Sequence, residues 1–171
     1  MAGLDLILMR HGQAEDAALS QDDHARRLTV SGRDDAYHTA LGFVTRSLVP
    51  GYILCSDARR TRDTSDEVIR ALGGQAPSVV YDSDLYHASR QSALELLQRH
   101  LAVCSRALVI GHNPTLSRLV AYLSGEQVQM DTAEAAHLTL ETDDLDGVAQ
   151  GVWMASLGTS GLWTLRSLWR R

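Results

Sequence analysis

The sequence lacks several things, and each lack closes off a class of function. No apolar run approaches the roughly 20 residues of a membrane span; the strand-like runs, such as Leu6-Ile7-Leu8-Met9, are a few residues long. The first residues carry no basic stretch ahead of their short apolar segment, so they do not read as a secretory signal. Basic charge is in deficit: Lys and Arg number 16 against 21 Asp and Glu, for a net charge of -5. That balance argues against nucleic acid as the main partner and gives no pull toward anionic membranes, while leaving room for a local basic site that takes one phosphate. Cys55 and Cys104 are the only cysteines, each in a strand-like apolar run. They read as buried thiols rather than a disulfide or metal pair, which points to a reducing cytoplasm. Internal repeats, low-complexity tracts and linkers are missing as well, so residues 1–171 are expected to fold as a single domain.

What is present centres on Leu4 to Glu15, LDLILMRHGQAE. Four apolar residues ending abruptly in Arg10-His11-Gly12 suit a buried strand of a parallel sheet, whose carboxyl end is where ligands sit in open α/β folds. With 44% apolar and 22% charged residues over 171 positions, the chain can bury a core. After a polar loop from Asp16 to Leu28, Thr29 or Ser31 caps a helix expected to reach about Leu48, with Ala36, Ala40, Phe43, Val44 and Leu48 near helical spacing. Pro50-Gly51 breaks it, and Tyr52 to Cys55 is a second strand ending at Ser56-Asp57, where a second helix begins and runs to about Leu72 before Gly73-Gly74. Val79 to Tyr81 is a third strand, and Ser92 to Leu101 a third helix. Ala107 to Ile110 is a fourth strand, followed by Gly111-His112-Asn113-Pro114 and a helix from Thr115 to Leu123 that Gly125 closes. This alternation predicts a three-layer α/β/α sandwich with a mainly parallel sheet. Ala136 to Glu141 and Gly151 to Leu157 suggest an edge hairpin around Asp143 to Gly147.

Strand ends of a parallel sheet gather on one edge, so Arg10, His11, Arg60 and His112 can meet despite their separation in sequence. Two guanidiniums and two imidazoles beside helix N-termini make a receptor for a tetrahedral dianion. The chemistry this suggests is phosphoryl transfer to a nucleophilic His, with the arginines and second His stabilising charge on the equatorial oxygens in place of a metal. No cofactor is implied.

These residues bring a family into view. Over nearly its whole length the chain resembles the histidine phosphatase superfamily, most closely its small SixA-like phosphohistidine phosphatase branch. Arg10-His11-Gly12 matches the signature, with His11 at the position of the phosphorylated nucleophile. Leu28-Thr29 with Gly32 and Ala36 resembles the family's LTxxGxxxA helix start. Ser56, Arg60 and Thr64 match its SPxxRAxxT block, although Asp57 stands for the usual Pro and Thr61 for the usual Ala. Ile110 to Pro114 matches the segment with the second active-site His. The resemblance implies a phosphoglycerate mutase-like fold, with Arg10, Gly12, Arg60 and His112 binding phosphate; Gln13 either donates to the phosphate or holds the loop backbone.

One departure bears on the substrate. Many members place a general-acid glutamate after the third strand, where this chain has Asp84-Leu85-Tyr86-His87 with His87 at the glutamate position. A general acid is worth about 10²–10⁴-fold, and a phosphoramidate suffers least without one, because an imidazole leaving group can carry its own proton. The expectation is therefore a metal-independent phosphatase of phosphohistidine on a signalling or phosphotransfer protein. The alternatives are a phosphatase of small phosphoesters, with His87 as proton donor, and a non-catalytic phosphate-binding module. A monomer is the default, and neither nucleic acid nor membrane is expected as a partner.

Other suggestive residues read as structural. Arg59 and Arg62 lie at i,i+4 from Asp63 and Asp66 and suggest an exposed ion-paired face. His24, Arg26 and Arg27 read as solvated loop charge, His38 and His100 as helix positions facing solvent, and His137 as a strand residue without a role. Asp144 to Gly147 fails the calcium-loop register, since Thr142 and Trp153 stand where acids are required. The terminal GLWTLRSLWRR reads as a tail strapping the sheet.

Overall fold

The computed structural model describes residues 3–17, 22–75, 77–101, 104–141 and 156–171. Their elements run β1 (Gly3–Arg10), α1 (Val30–Thr45), β2 (Tyr52–Ser56), α2 (Arg59–Ala71), β3 (Ser78–Asp82), a 3₁₀ turn (Ser83–Leu85), α3 (Arg90–His100), β4 (Arg106–Gly111), α4 (Thr115–Ser124), β5 (Ala135–Glu141) and β6 (Thr164–Trp169). The strands form one mixed sheet in the order β3-β2-β4-β1-β5-β6. β3, β2, β4 and β1 are mutually parallel, while β5 runs antiparallel to both β1 and β6. This is the expected three-layer sandwich.

The layers follow from side-chain alternation along the strands. Leu4, Leu6, Leu8, Leu54, Ala107 and Val109 pack on one face against α3 and α4. Their strand neighbours Ile7, Met9, Ile53, Cys55, Leu108 and Ile110 pack on the other against α1 and α2. Both faces are covered, which is why the central strands read as unbroken apolar runs. Thr29 caps α1 by accepting from the Gly32 amide, as its position after the loop predicts. Gly125 closes α4 in the left-handed conformation.

Several boundaries differ from those the pattern suggests. α1 stops at Thr45, and Val44 turns outward with 41% of its surface exposed. α2 begins at Arg59 because Ser56 is still strand; the Thr61 hydroxyl closes the intervening turn on the Ser56 and Ala58 carbonyls at 2.7 Å each. α3 is capped by Ser89, which accepts from the Ser92 amide, so the helix starts ahead of Ser92. At α4, Pro114 occupies the capping position itself, with Asn113 Oδ1 accepting from the Ser117 amide and hydroxyl. The outer partner of β5, in place of a hairpin strand, is β6, supplied by the tail. The expected turn at 143–147 and most of the expected strand at 151–157 lie outside the described residues, and Ser156-Leu157 are helical. Trp169 seals the tail onto α1: its indole N–H donates to the Thr39 carbonyl at 3.2 Å and its ring meets Phe43 edge-on.

One packing contact sets where the loop after β1 can go. A Cβ on Gly32 would lie 2.2 Å from the Gln13 carbonyl oxygen, and one on Gly12 would lie 2.4 Å from the Gly32 carbonyl oxygen. The two backbones therefore touch through paired glycines. Gly32→Ala gains up to about 1 kcal/mol of helix propensity, yet the overlap is expected to make it destabilising by about 1–3 kcal/mol net in urea unfolding. A neutral or stabilising result would mean that the backbones are not in contact.

Candidate active site

The parallel register builds the site. Met9, Ile110 and Cys55 form one row across β1, β4 and β2, so the residues one step further, Arg10, Gly111 and Ser56, emerge together at the carboxyl edge. His11 and His112 follow directly, their ring centroids 5.2 Å apart. Arg60 arrives on the first turn of α2, buried to 7% exposure. The structure thus gathers all four expected residues.

His11 Nδ1 lies 2.7 Å from the Gly12 carbonyl oxygen, which can only accept, so Nδ1 carries the ring proton and Nε2 presents a lone pair. Arg60 Nε donates to that lone pair at 3.3 Å. Burial, with further push from Arg60 and Arg10, lowers the His11 pKa to about 4 despite the Gly12 hydrogen bond. His112 is lowered to about 3, by burial first and then by His11 and Arg60. Its Nε2 sits 2.9 Å from Ser56 Oγ, while its Nδ1 is buried without a partner. At neutral pH both rings are uncharged.

Arg10 points to the α4 side, where Nη1 donates to the Met130 carbonyl at 3.0 Å and Nε is buried without a partner. Two unsatisfied nitrogens in one site are where an oxyanion could be bound. Thr64 ties α2 to β1: its hydroxyl donates to the Arg60 carbonyl at 2.8 Å and accepts from the Gly12 amide at 3.1 Å. The resemblance implies that Gly12 allows close approach of a phosphate. Its amide is instead engaged by Thr64, and its missing side chain makes room for Gly32. The Gln13 side chain bonds neither a phosphate nor the loop backbone: its Oε1 accepts from the Ser31 hydroxyl in the first turn of α1 at 3.1 Å. The α2 N-terminus likewise turns to a loop, with the Arg59 amide donating to the His24 carbonyl at 2.9 Å.

The loop at 22–28 is not free charge. Asp23 accepts from Arg60 through its carbonyl at 2.7 Å and its carboxylate at 3.1 Å, and the Tyr86 hydroxyl donates to the same carboxylate. His24 pairs with Asp57 at 2.9 Å, which accounts for the Asp at the usual proline position. Asp63 is buried at 1% exposure and joins Arg33, Arg59 and the Leu28 amide, so the expected Arg59–Asp63 pair is formed on a carboxylate inside the protein. Arg62 lies over the Tyr81 ring and donates to the Asp57 carbonyl, not to Asp66. Asp23, Tyr86, Ser56 and Thr64 are the site residues that motif spacing alone undervalued. Ser56 and Thr64 were visible in the block around Arg60; Asp23 and Tyr86 left no local signal.

His87 is exposed, its ring tilted against Tyr86 with centroids 3.9 Å apart, and lines a cleft of about 280 Å³ with His112. Asp84 is exposed and outside that cleft. His100 is not solvent-facing: it joins Asp82 at 3.0 Å and Tyr52 at 3.3 Å. His137 pairs with Asp5 at 2.7 Å, far down β1 from the site. Cys55 is buried, whereas Cys104 is half-buried in the turn before β4. Among the described residues no helix is long and apolar enough to cross a membrane.

Comparison with known proteins bears on the family and the fold. Residues 6–90 match the histidine phosphatase superfamily (branch 1). An uncharacterized chloroplastic protein of Arabidopsis thaliana is 30% identical over 141 residues, covering 78% of this chain and 65% of that protein's length. Among solved structures, a SixA-type protein of Agrobacterium tumefaciens superposes with a TM-score of 0.78 at 24% identity, covering 99% of both chains. The protein histidine phosphatase SixA bound to tungstate superposes with a TM-score of 0.77 at 24% identity, covering 96% of both. At that identity the structural likenesses establish the fold.

The lowered histidines make stability pH-dependent. Unfolding returns each ring to the ordinary value of 6.5, so below that pH the unfolded chain binds more protons than the folded one, down to about 4 for His11 and about 3 for His112. The stability linked to neutral rings is whole above pH 6.5 and is lost as the pH falls through that window. His112→Asn removes one such ring, so its thermal midpoint should fall less than that of wild type between about pH 7 and pH 4. Parallel melting curves would exclude a buried neutral His112.

Proposed function

Because the chain belongs to the histidine phosphatase superfamily, we propose that it is a phosphatase working through a phosphohistidine formed on His11. The observation that carries the reading is the His11 tautomer: Gly12 holds the proton on Nδ1, and the Nε2 lone pair faces the Arg60 guanidinium. A phosphoryl group bound by Arg60 and Arg10 would place its phosphorus in front of that lone pair. The low pKa of about 4 keeps the nucleophile unprotonated at neutral pH.

In the first step the Nε2–P bond forms as the bond from phosphorus to the leaving group breaks, and the electron pair departs with the leaving group. Arg10, Arg60 and His112 stabilise the charge on the equatorial oxygens, the role a metal takes elsewhere. Water then attacks phosphorus, the Nε2–P bond breaks, and inorganic phosphate leaves. That the SixA protein of the same fold is complexed with tungstate, a tetrahedral dianion like phosphate, is in keeping with this reading.

The substrate we infer is phosphohistidine on a signalling or phosphotransfer protein. Among the described residues no carboxylic acid stands ready to protonate a poor leaving group: Asp84 is exposed and Asp23 is tied up in ion pairs. A phosphorylated imidazole that brings its own proton needs no such acid. A second reading, hydrolysis of small phosphomonoesters, is favoured by one observation: His87 shares the cleft with His112 and could donate a proton there.

The test compares wild type with His11→Ala on a phosphohistidine-bearing protein and on p-nitrophenyl phosphate, with chelator present throughout. Wild type should dephosphorylate the protein faster than the ester, unaffected by chelator, and the substitution should cost at least about 10³-fold. Faster turnover of the ester would assign the second reading. Phosphate binding without turnover of either would leave a binding module and remove the nucleophilic role of His11.

A further inference from the structure

We propose that Asp23 is a positioning residue that grips one edge of the Arg60 guanidinium and so presents the other edge to the phosphoryl group at His11; this rests on the phosphatase reading above. A guanidinium offers two bidentate edges, an end formed by Nη1 and Nη2 and a side formed by Nε and Nη2. Asp23 takes the end: its carbonyl oxygen accepts from Nη1 at 2.7 Å and its carboxylate from Nη2 at 3.1 Å. The side edge is left facing the nucleophile, with Nε 3.3 Å from His11 Nε2. Released at its end, a guanidinium on a long stem can swing away from that line, and a displacement of about 1 Å can cost about 10²-fold in rate.

Asp23 is itself held from three directions. The Tyr86 hydroxyl donates to Oδ2, and Arg26 Nη1 donates to Oδ1 at 2.7 Å while its Nε and Nη2 clamp the Glu15 carbonyl. The backbone that follows it is laced to α2, through the Arg59 amide on the His24 carbonyl and the Leu28 amide on Asp63. Tyr86 also packs edge-on against His112, with centroids 5.2 Å apart, so the same hydroxyl and ring join the second imidazole to Arg60. Asp23 does not serve as a proton donor, because the Tyr86 and Arg26 hydrogen bonds and the Arg60 charge hold its carboxyl far below the usual range. Nor does it stand in for the substrate anion, since the edge it occupies faces away from His11 Nε2.

Three variants, with Arg60→Lys as an assignment control, and two readouts test the inference. On the phosphohistidine protein, Asp23→Ala should lower kcat about 10- to 100-fold while KM changes less than about 3-fold. Tyr86→Phe should lower kcat by a smaller factor, and the double variant should match Asp23→Ala within about 2-fold, because both act through one contact chain. Independently of turnover, the Arg60 Nε–H resonance, assigned by its loss in Arg60→Lys, should exchange with water at least about 10-fold faster in Asp23→Ala than in wild type. Unchanged exchange in folded Asp23→Ala and Tyr86→Phe, an unchanged or raised kcat, or additive losses would each overturn the proposal. If wild type turns over neither substrate, the phosphatase reading fails, while the exchange measurement still decides whether Asp23 holds Arg60.

Discussion

The in-register parallel pairing of β1, β4 and β2 is the constraint on which everything else depends. Three chain segments more than 40 residues apart end on the same row, and the chemistry sits one step beyond it. A slip of one residue in any of these pairings would turn the apolar set of that strand to the wrong face. Core packing and site assembly are therefore one requirement. The side chains that bury Leu8, Cys55 and Ile110 also deliver His11, Ser56 and His112 to one point.

Electrostatics then decides what the assembled residues are. Two arginines and two histidines at one edge look like four positive charges in need of an anion. The fold resolves that crowding from within. Burial and the neighbouring guanidiniums keep both imidazoles neutral, and Asp23 pairs with Arg60. Asp63, buried beneath, joins Arg33 and Arg59. What remains for an incoming oxyanion is directional: the side edge of Arg60, the unpartnered Nε of Arg10 and a ring nitrogen of His112. A neutral imidazole beside fixed cations suits the proposed phosphoryl transfer, because its lone pair is available and the charge-stabilising groups are already oriented.

The two departures from the family's usual block around Arg60 have local explanations. Thr61 uses its hydroxyl to close the turn between β2 and α2, and Asp57 binds His24 and so helps hold the loop that carries Asp23. Both changes act on how Arg60 is presented rather than on which groups surround the candidate site. The tail plays a remoter part: β6 completes the sheet, and Trp169 rests on α1 beside Phe43, on the same face as the helix that carries Arg60.

The residues that meet at the strand ends were legible in the sequence. Short apolar runs announce buried parallel strands, each run here ends in Arg-His-Gly, Ser-Asp or Gly-His, and those ends have only one edge on which to gather. Local rules gave the order of elements for the same reason, since capping residues and apolar periodicity act within a few positions. What they could not give was any role that depends on contacts across the fold. Nothing near Asp23 or Tyr86 signals that they meet each other and Arg60 from separate loops, and Gly12 and Gly32 show their purpose only once two backbones touch. The sequence by itself determined the layered fold and which histidines and arginines meet at the candidate site, because strand burial and local motifs are written in adjacent residues. Tertiary structure alone decided the protonation of the histidines, the orientation of Arg60 and the tail as the outer strand, because burial, charge pairing and hydrogen-bond direction exist only between segments brought together by folding.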